Sequence, residues 1–338
     1  MSQELVTVAN ALVARGKGIL AADESFPTIA KRFKSIGLES TEEYRRDYRH
    51  MLFTAPDFSQ YVSGVILFDE TLRQKAADGK RLADILADQG VIPGIKVDAG
   101  AKPLAGFEGE TVTEGLDGLR GRLAEYRELG AKFAKWRAVI NIGEGLPTRF
   151  ALEANAHALA RYAALCQEAG IVPIVEPEVL MDGNHDLARC QAVTEEILVL
   201  VFAQLKAHNV LLEGMLLKPN MVISGKGAAD RAGAEEVAKE TVATLKRCVP
   251  SAVPGIVFLS GGQSSVEATE HLDLMNKLGD LPWALSFSYG RALQEDALKA
   301  WQGQSGNVAT AQAVFRHRAK MNGVAATGGY SSQLENAS

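Results

Sequence analysis

Eight short apolar runs recur along this chain with helix-like stretches between them, and no other feature limits its possible folds so tightly. They are Gly18–Ala22, Gly64–Phe68, Pro93–Val97, Phe133–Val139, Val172–Val179, Met215–Met221, Ile256–Ser260 and Trp283–Ser288. Gly, Pro or polar residues bound each run, and most are rich in Val, Ile, Leu or Phe. Between them, segments such as Leu152–Ala169 repeat apolar residues at helical spacing, with Gly170 as a stop signal. Strands alternating with helices pair in parallel. Eight such units in 338 residues predict an α/β fold, a closed (β/α)8 TIM barrel. A doubly wound open sheet would carry a glycine fingerprint after its first strand, whereas the first run here leads into Asp23-Glu24-Ser25. At 47% hydrophobic, the chain can bury a barrel core as one domain, 1–322. The remainder, 323–338, is small, polar and Gly/Ser-rich, and reads as a flexible C-terminal tail.

Alternation along barrel strands then says which side chains meet. The fourth run puts Lys135 and Arg137 on one face, the fifth Ile174, Glu176 and Glu178, and the sixth Leu216, Lys218 and Asn220. With neighbouring strands about 4.8 Å apart, Lys135, Glu176 and Lys218 form a row near the C-terminal mouth. Opposite them the first run ends at Asp23 and the third carries Lys96 and Asp98. One charge at a strand end is ordinarily a solvated rim residue. Charges repeated at the ends of five apolar strands read as a site.

The residue types name the chemistry. Lys218 lies inside the apolar run Gly214–Asn220, so folding strips its hydration, disfavours the ammonium and makes a nucleophilic amine accessible. Such an amine adds to a ketone, and the carbinolamine needs a general acid to lose water and become an iminium. Glu176, on the adjacent strand, is the candidate acid. A carbon–carbon bond two atoms from the iminium can then break through an enamine, with Glu176 or Asp23 taking the hydroxyl proton. Lys135 supplies a second positive charge beside Lys218, and Glu178 is expected to orient the lysines. Two loops offer phosphate sites: Ser260-Gly261-Gly262-Gln263-Ser264 after the seventh run and Ser288-Tyr289-Gly290-Arg291 after the eighth. Arg291 adds a fork matched to phosphate oxygens. Ser25 and Thr28, with Lys96, offer hydroxyls and a cation across the mouth. Two such sites flanking a Schiff-base lysine imply a ketose phosphorylated at each end.

These runs resemble the class I fructose-bisphosphate aldolase family from about Val6 to Lys320. The matching segments are Leu20–Ser25, Gly64–Phe68, Gly94–Asp98, Phe133–Arg137, Ile171–Glu178, Leu216–Met221, Leu259–Ser264 and Phe287–Ala292. The resemblance implies reversible, metal-independent cleavage of fructose 1,6-bisphosphate to dihydroxyacetone phosphate and glyceraldehyde 3-phosphate, in glycolysis and gluconeogenesis. Carried over motif by motif, Lys218 is the Schiff-base lysine and Glu176 the main acid–base group, with Asp23 and Lys135 assisting. Ser260, Gly261, Ser288, Gly290 and Arg291 hold the ketose-side phosphate. Ser25, Thr28 and Lys96 match the other phosphate site, with Lys31 and Arg32 nearby and Arg137 counted among the substrate contacts. A homotetramer is also implied. Two departures stand out. Glu24-Ser-Phe-Pro-Thr28 replaces the usual Glu-Ser-Thr-Gly-Ser, so Phe26 and Pro27 stiffen that loop. The chain closes Gln333–Ser338 where animal members end in a tyrosine, leaving Tyr330 as the tail's own tyrosine.

Other classes fit poorly. No cofactor or metal is expected, since the six histidines are scattered without paired ligand spacing and Glu153 with His157 is a lone pair on a helix face. A net charge of -5 gives no reason to expect a nucleic-acid partner. The longest apolar run, Ile197–Phe202, is too short to span a bilayer, so no membrane association is expected. Three cysteines (Cys166, Cys190 and Cys248) in helix-like stretches read as reduced thiols of a cytoplasmic protein.

Overall fold

The computed structural model describes residues 2–336. Eight parallel strands close a barrel in the order β1 (Gly18–Ala22), β2 (Val62–Leu67), β3 (Ile92–Lys96), β6 (Phe133–Ile140), β7 (Val172–Val179), β8 (Leu216–Leu217), β9 (Gly255–Phe258) and β10 (Ala284–Tyr289). A separate hairpin, β4 (Ala101–Pro103) with β5 (Thr111–Thr113), rises from the loop after β3. The longest ladder joins β6 to β7, from Phe133 opposite Val172 to Ile140 opposite Val179. The helices are α1 (Ser2–Leu12), α2 (Phe26–Lys34), α3 (Glu42–Phe53), α4 (Asp69–Arg73), α5 (Leu82–Ala87), α6 (Leu119–Glu128), α7 (Arg149–Glu168), α8 (Leu187–Ala207), α9 (Ala234–Cys248), α10 (Ser265–Lys277), α11 (Arg291–Trp301) and α12 (Val308–Ala325). The expected TIM barrel, one α/β domain, is the observed fold.

Local chemistry sets the helix starts. Thr148 caps α7 by accepting from the Ala151 amide, and Asp186 caps α8 by accepting from Arg189. Ser264 and Glu267 form a reciprocal capping box at the start of α10. Outward-facing barrel residues pack against this helical ring; Trp136 of β6, for instance, stacks on Tyr162 of α7 at 5.5 Å between ring centroids. The inward faces are divided into two tiers. Ile19, Ala21, Ile66, Phe133, Val172, Ile174, Leu216 and Val257 fill the lower barrel. Leu5, Ala9, Leu12 and Val13 of the N-terminal segment plug its base. Each large apolar side chain so enclosed contributes about 1.5–3 kcal/mol. Above that floor Asp23, Lys96, Lys135, Glu176, Lys218 and Ser288 line a cavity, which is where a site can form.

Strand boundaries match the sequence reading to within two residues, with the first and fifth runs exact, except in the sixth run. There the expected Met215–Met221 contracts to Leu216–Leu217. Pro219 has no N–H to give the ladder, so pairing ends once the Lys218 amide has reached Val175 O at 2.8 Å. Lys218 therefore stands at the rim just beyond the strand. The segment expected as a tail from residue 323 begins inside a helix, because α12 continues to Ala325. Tyr330 is buried, its hydroxyl donates to Glu335 at 2.8 Å, and its amide donates to Asp273 at 2.8 Å. Asp273 and Lys277 lie in the last turn of α10. A helix following a barrel strand runs back against it, so this end of α10 lies at the base. Tyr330 is thus fastened at the end of the barrel away from the mouth. Residues 337 and 338 of that segment lie outside the described residues.

Candidate active site

Asp23, Lys135, Glu176 and Lys218 form one connected charge system at the floor of a mouth cavity of about 340 Å³. Lys135 Nζ lies 2.7 Å from Asp23 Oδ2 and 3.5 Å from Glu176 Oε2. Lys218 Nζ lies 3.3 Å from Glu176 Oε1. The Glu176 carboxylate thus stands between the two lysines and gives one oxygen to each. All three side chains are buried. Burial raises the Glu176 carboxyl, but the charges of Lys218, Lys135 and Arg137 outweigh it and the net direction is down. Asp23 follows the same logic more strongly: burial raises it, and Lys135, Lys218 and Lys96 together hold it well below the usual carboxylate range. For Lys135, burial favours the neutral amine, yet Asp23, Glu176 and Asp98 push its pKa above that of an ordinary lysine. Lys135 is a fixed cation at neutral pH. Lys218 meets one carboxylate, Glu176, where Lys135 meets two.

The neighbouring polar residues sort into distinct jobs. Arg137 pairs through Nε with Glu178, and its backbone amide donates to Asp98 Oδ2 at 3.3 Å. Glu178 therefore grips Arg137, and the contact with the lysines expected from sequence is replaced by this one. Burial lowers the Arg137 guanidinium, and Glu178, Glu176 and Asp98 reverse that, so it too remains charged. Lys96 Nζ sits 3.6 Å from Asp98 Oδ1. Ser25 and Thr28 bring their hydroxyls within 3.1 Å of each other at the start of α2. Phe26 opens that helix with Pro27 in its first turn, where a fixed φ and a missing N–H cost nothing. The Phe26 ring packs edge-on against Phe68 and lies under the Arg45 guanidinium, 4.8 Å from its centroid. The sequence reading placed Phe26 and Pro27 in a loop; they form the first turn of α2 instead.

Across the mouth two backbone turns present anion-binding groups. Gly261 and Gly262 take φ of +55° and +84°, successive left-handed positions that only glycine adopts without strain. Turns of this kind converge N–H groups into a concave cradle. Gly290 stands at the N-cap of α11, so that helix directs its positive end and Arg291 toward the same space. The Ser288 hydroxyl is buried there with no hydrogen-bond partner within the protein. A buried hydroxyl without a partner costs roughly 1–3 kcal/mol, which a bound oxyanion would relieve.

Every residue given a catalytic or substrate-binding role by motif lines this cavity except Lys31. Lys31 lines an adjacent cavity of about 310 Å³, shared with Thr28, Arg32, Tyr48 and Arg291. Sequence reasoning missed the scaffold behind Asp23. Glu24 pairs with Arg32, sits 3.6 Å from the buried Arg49 guanidinium, and accepts from Gln294 at 2.9 Å. Gln294 also donates to Ala21 O at 2.7 Å, tying α11 to the end of β1. Partners as far apart as Glu24 and Gln294 leave no mark in the spacing of a single sequence.

The family model described as fructose-bisphosphate aldolase class-I matches residues 4–338. A probable fructose-bisphosphate aldolase class 1 of Xanthomonas campestris pv. campestris is 61% identical over 327 residues, covering 96% of this chain and 98% of that protein. The cytosolic fructose-bisphosphate aldolase 4 of Arabidopsis thaliana is 55% identical over 328 residues, covering 97% of this chain and 84% of its own length. Among solved structures, fructose-bisphosphate aldolase from Plasmodium falciparum, in complex with TRAP and a small-molecule inhibitor, superposes with a TM-score of 0.97. It is 49% identical and covers 98% of this chain and 96% of that one.

Proposed function

This chain belongs to the class I fructose-bisphosphate aldolase family, and we propose that it cleaves fructose 1,6-bisphosphate through a Schiff base on Lys218. The observation that carries this reading is the Glu176 carboxylate, which meets Lys218 at 3.3 Å and Lys135 at 3.5 Å in one buried tier. The open-chain ketose places its C2 carbonyl against Lys218 Nζ. Lys218 passes its ammonium proton to Glu176 across their 3.3 Å contact and adds as the free amine to give a carbinolamine, and Glu176 returns that proton so that the oxygen leaves as water. The iminium draws electrons from the C3–C4 bond as the C4 hydroxyl proton passes to a carboxylate. We assign that proton to Glu176, since Asp23 is engaged by Lys135 at 2.7 Å while Glu176 faces Lys218 at 3.3 Å. Glyceraldehyde 3-phosphate leaves first. Protonation of the enamine at C3 and hydrolysis of the imine then release dihydroxyacetone phosphate and restore Lys218.

Lys135 keeps its charge throughout and stabilises the negative charge that develops on the sugar oxygens. The ketose-end phosphate lies on Ser260, Gly261, Ser288, Gly290 and Arg291, where the unpartnered Ser288 hydroxyl supports the assignment. The other phosphate faces Ser25, Thr28, Lys96 and Arg32, with Arg137 beside them. The reading extends to a homotetramer working in the cytosol, in glycolysis and gluconeogenesis, and the cytosolic relatives support that location. Replacing Lys218 with Arg preserves the charge and removes the nucleophile. Cleavage should fall by roughly three orders of magnitude or more, while excess chelator leaves the parent enzyme unchanged. An active Lys218→Arg variant would overturn the assignment.

A further inference from the structure

We propose that Gln263 and His271 are positioning residues that hold the ketose-phosphate cradle in its binding shape. The inference rests on the reading of the Ser260–Gln263 turn as that cradle and adds what fastens it. Gln263 is buried in the turn and does not line the mouth cavity. Its amide N–H and its side-chain Nε2 both donate to Ser260 O, at 3.0 and 2.9 Å. Its backbone carbonyl accepts from the Arg291 guanidinium. One residue therefore closes the left-handed turn and anchors the arginine that faces the same phosphate.

Gln263 is in turn held from α10. His271, 3% exposed in the middle of that helix, places Nδ1 2.6 Å from Gln263 Oε1. Because Nε2 of Gln263 already donates to Ser260 O, its Oε1 is the acceptor, so the imidazole is the tautomer carrying hydrogen on Nδ1. The chain of contacts runs His271, Gln263, Ser260 and Arg291, from a helix buried against the barrel to two phosphate-facing groups. Neither Gln263 nor His271 touches the cavity. An apolar side chain at either position leaves the other's buried polar group unpaired and frees the turn and Arg291 to drift.

Steady-state cleavage of fructose 1,6-bisphosphate tests this on the full-length enzyme. His271→Leu and Gln263→Met should each raise KM roughly tenfold with kcat within about twofold, the mark of weakened phosphate binding with the lysine chemistry intact. His271→Asn, which presents a donor near the Nδ1 position, should restore the parent KM. The double variant His271→Leu/Gln263→Met should lose no more than the worse single one, because both act through one contact. A fall in kcat with KM unchanged overturns the proposal, as does an additive double variant or an Asn variant that fails to rescue. If the leucine variant does not fold, the Gln263→Met and His271→Asn arms decide the matter. A parent enzyme that does not saturate with fructose 1,6-bisphosphate would refute the underlying reading of the site instead, whatever the variants do.

Discussion

Glu176 has the most demanding position of any side chain in the molecule. It is buried, yet the charges of Lys218, Lys135 and Arg137 keep it ionised against the pull of burial. In the proposed mechanism this carboxylate takes the ammonium proton of Lys218 before the amine adds and returns it to the carbinolamine oxygen. Asp23 differs because it is bound closely to a lysine that never gives up its proton. The same residue type therefore serves two ends, set by which lysine it meets. Glu176→Gln keeps the shape and removes the exchangeable proton. Single-turnover iminium formation should slow by about two or more orders of magnitude. An unchanged single-turnover rate would move the acid–base role elsewhere, with Asp23 next in line.

At the scale of elements, the barrel works because each inward face changes character partway up. In β6, Phe133 belongs to the apolar floor while Lys135 and Arg137 point into the site. Phe133 needs space on the neighbouring strand, and Gly94 of β3 provides it. A Cβ at that position would stand 2.3–2.5 Å from the Phe133 ring atoms. Gly94→Ala should thus destabilise the fold by about 1–3 kcal/mol through overpacking, and Phe133→Leu in the same chain should return part of it. Equal denaturant midpoints for parent and Gly94→Ala would contradict this packing. The apolar runs and their turn residues made seven of the barrel strands legible to within a residue or two. The sixth was overdrawn because the pull of Pro219 on the ladder was not weighed. The β4–β5 hairpin escaped notice since three-residue strands with an exposed Ala101–Pro103 edge carry no periodic signal. Lys135, Glu176 and Lys218 were legible because charge inside an apolar strand is costly. The contacts of Gln263 with His271, and of Glu24 with Arg49, depend on how separate elements pack, and no local pattern encodes that.

For the molecule as a whole, charge placement sets how stability responds to pH. Burial pushes the His271 imidazole down to about 4, with Glu267 opposing the shift and Arg231 assisting it. In the unfolded chain the same group titrates near 6.5. Between those values the unfolded chain binds more protons, so the stabilisation is complete above about pH 6.5 and is lost as the pH falls toward 4. About 2 kcal/mol of it should be gone by pH 5, from the two pKa values alone. Denaturant unfolding at pH 7 and pH 5 should show that difference for the parent and a smaller one for His271→Asn. An identical pH response in both would place the acid sensitivity in other groups. The base of the barrel contributes on a different axis. Arg318 pairs with Glu335 at 2.8 Å and Lys277 donates to Tyr330 O at 3.1 Å, so the segment after α12 is seated far from the chemistry. The tail's tyrosine is therefore tied to Asp273, Lys277 and Glu335.

The most direct measurement is reductive trapping. With dihydroxyacetone phosphate and borohydride, the enzyme should lose activity irreversibly as one equivalent of ketose becomes fixed to the chain, and peptide mapping should place it on Lys218. An adduct on Lys135 or Lys96, or full activity after the same treatment, would contradict the account.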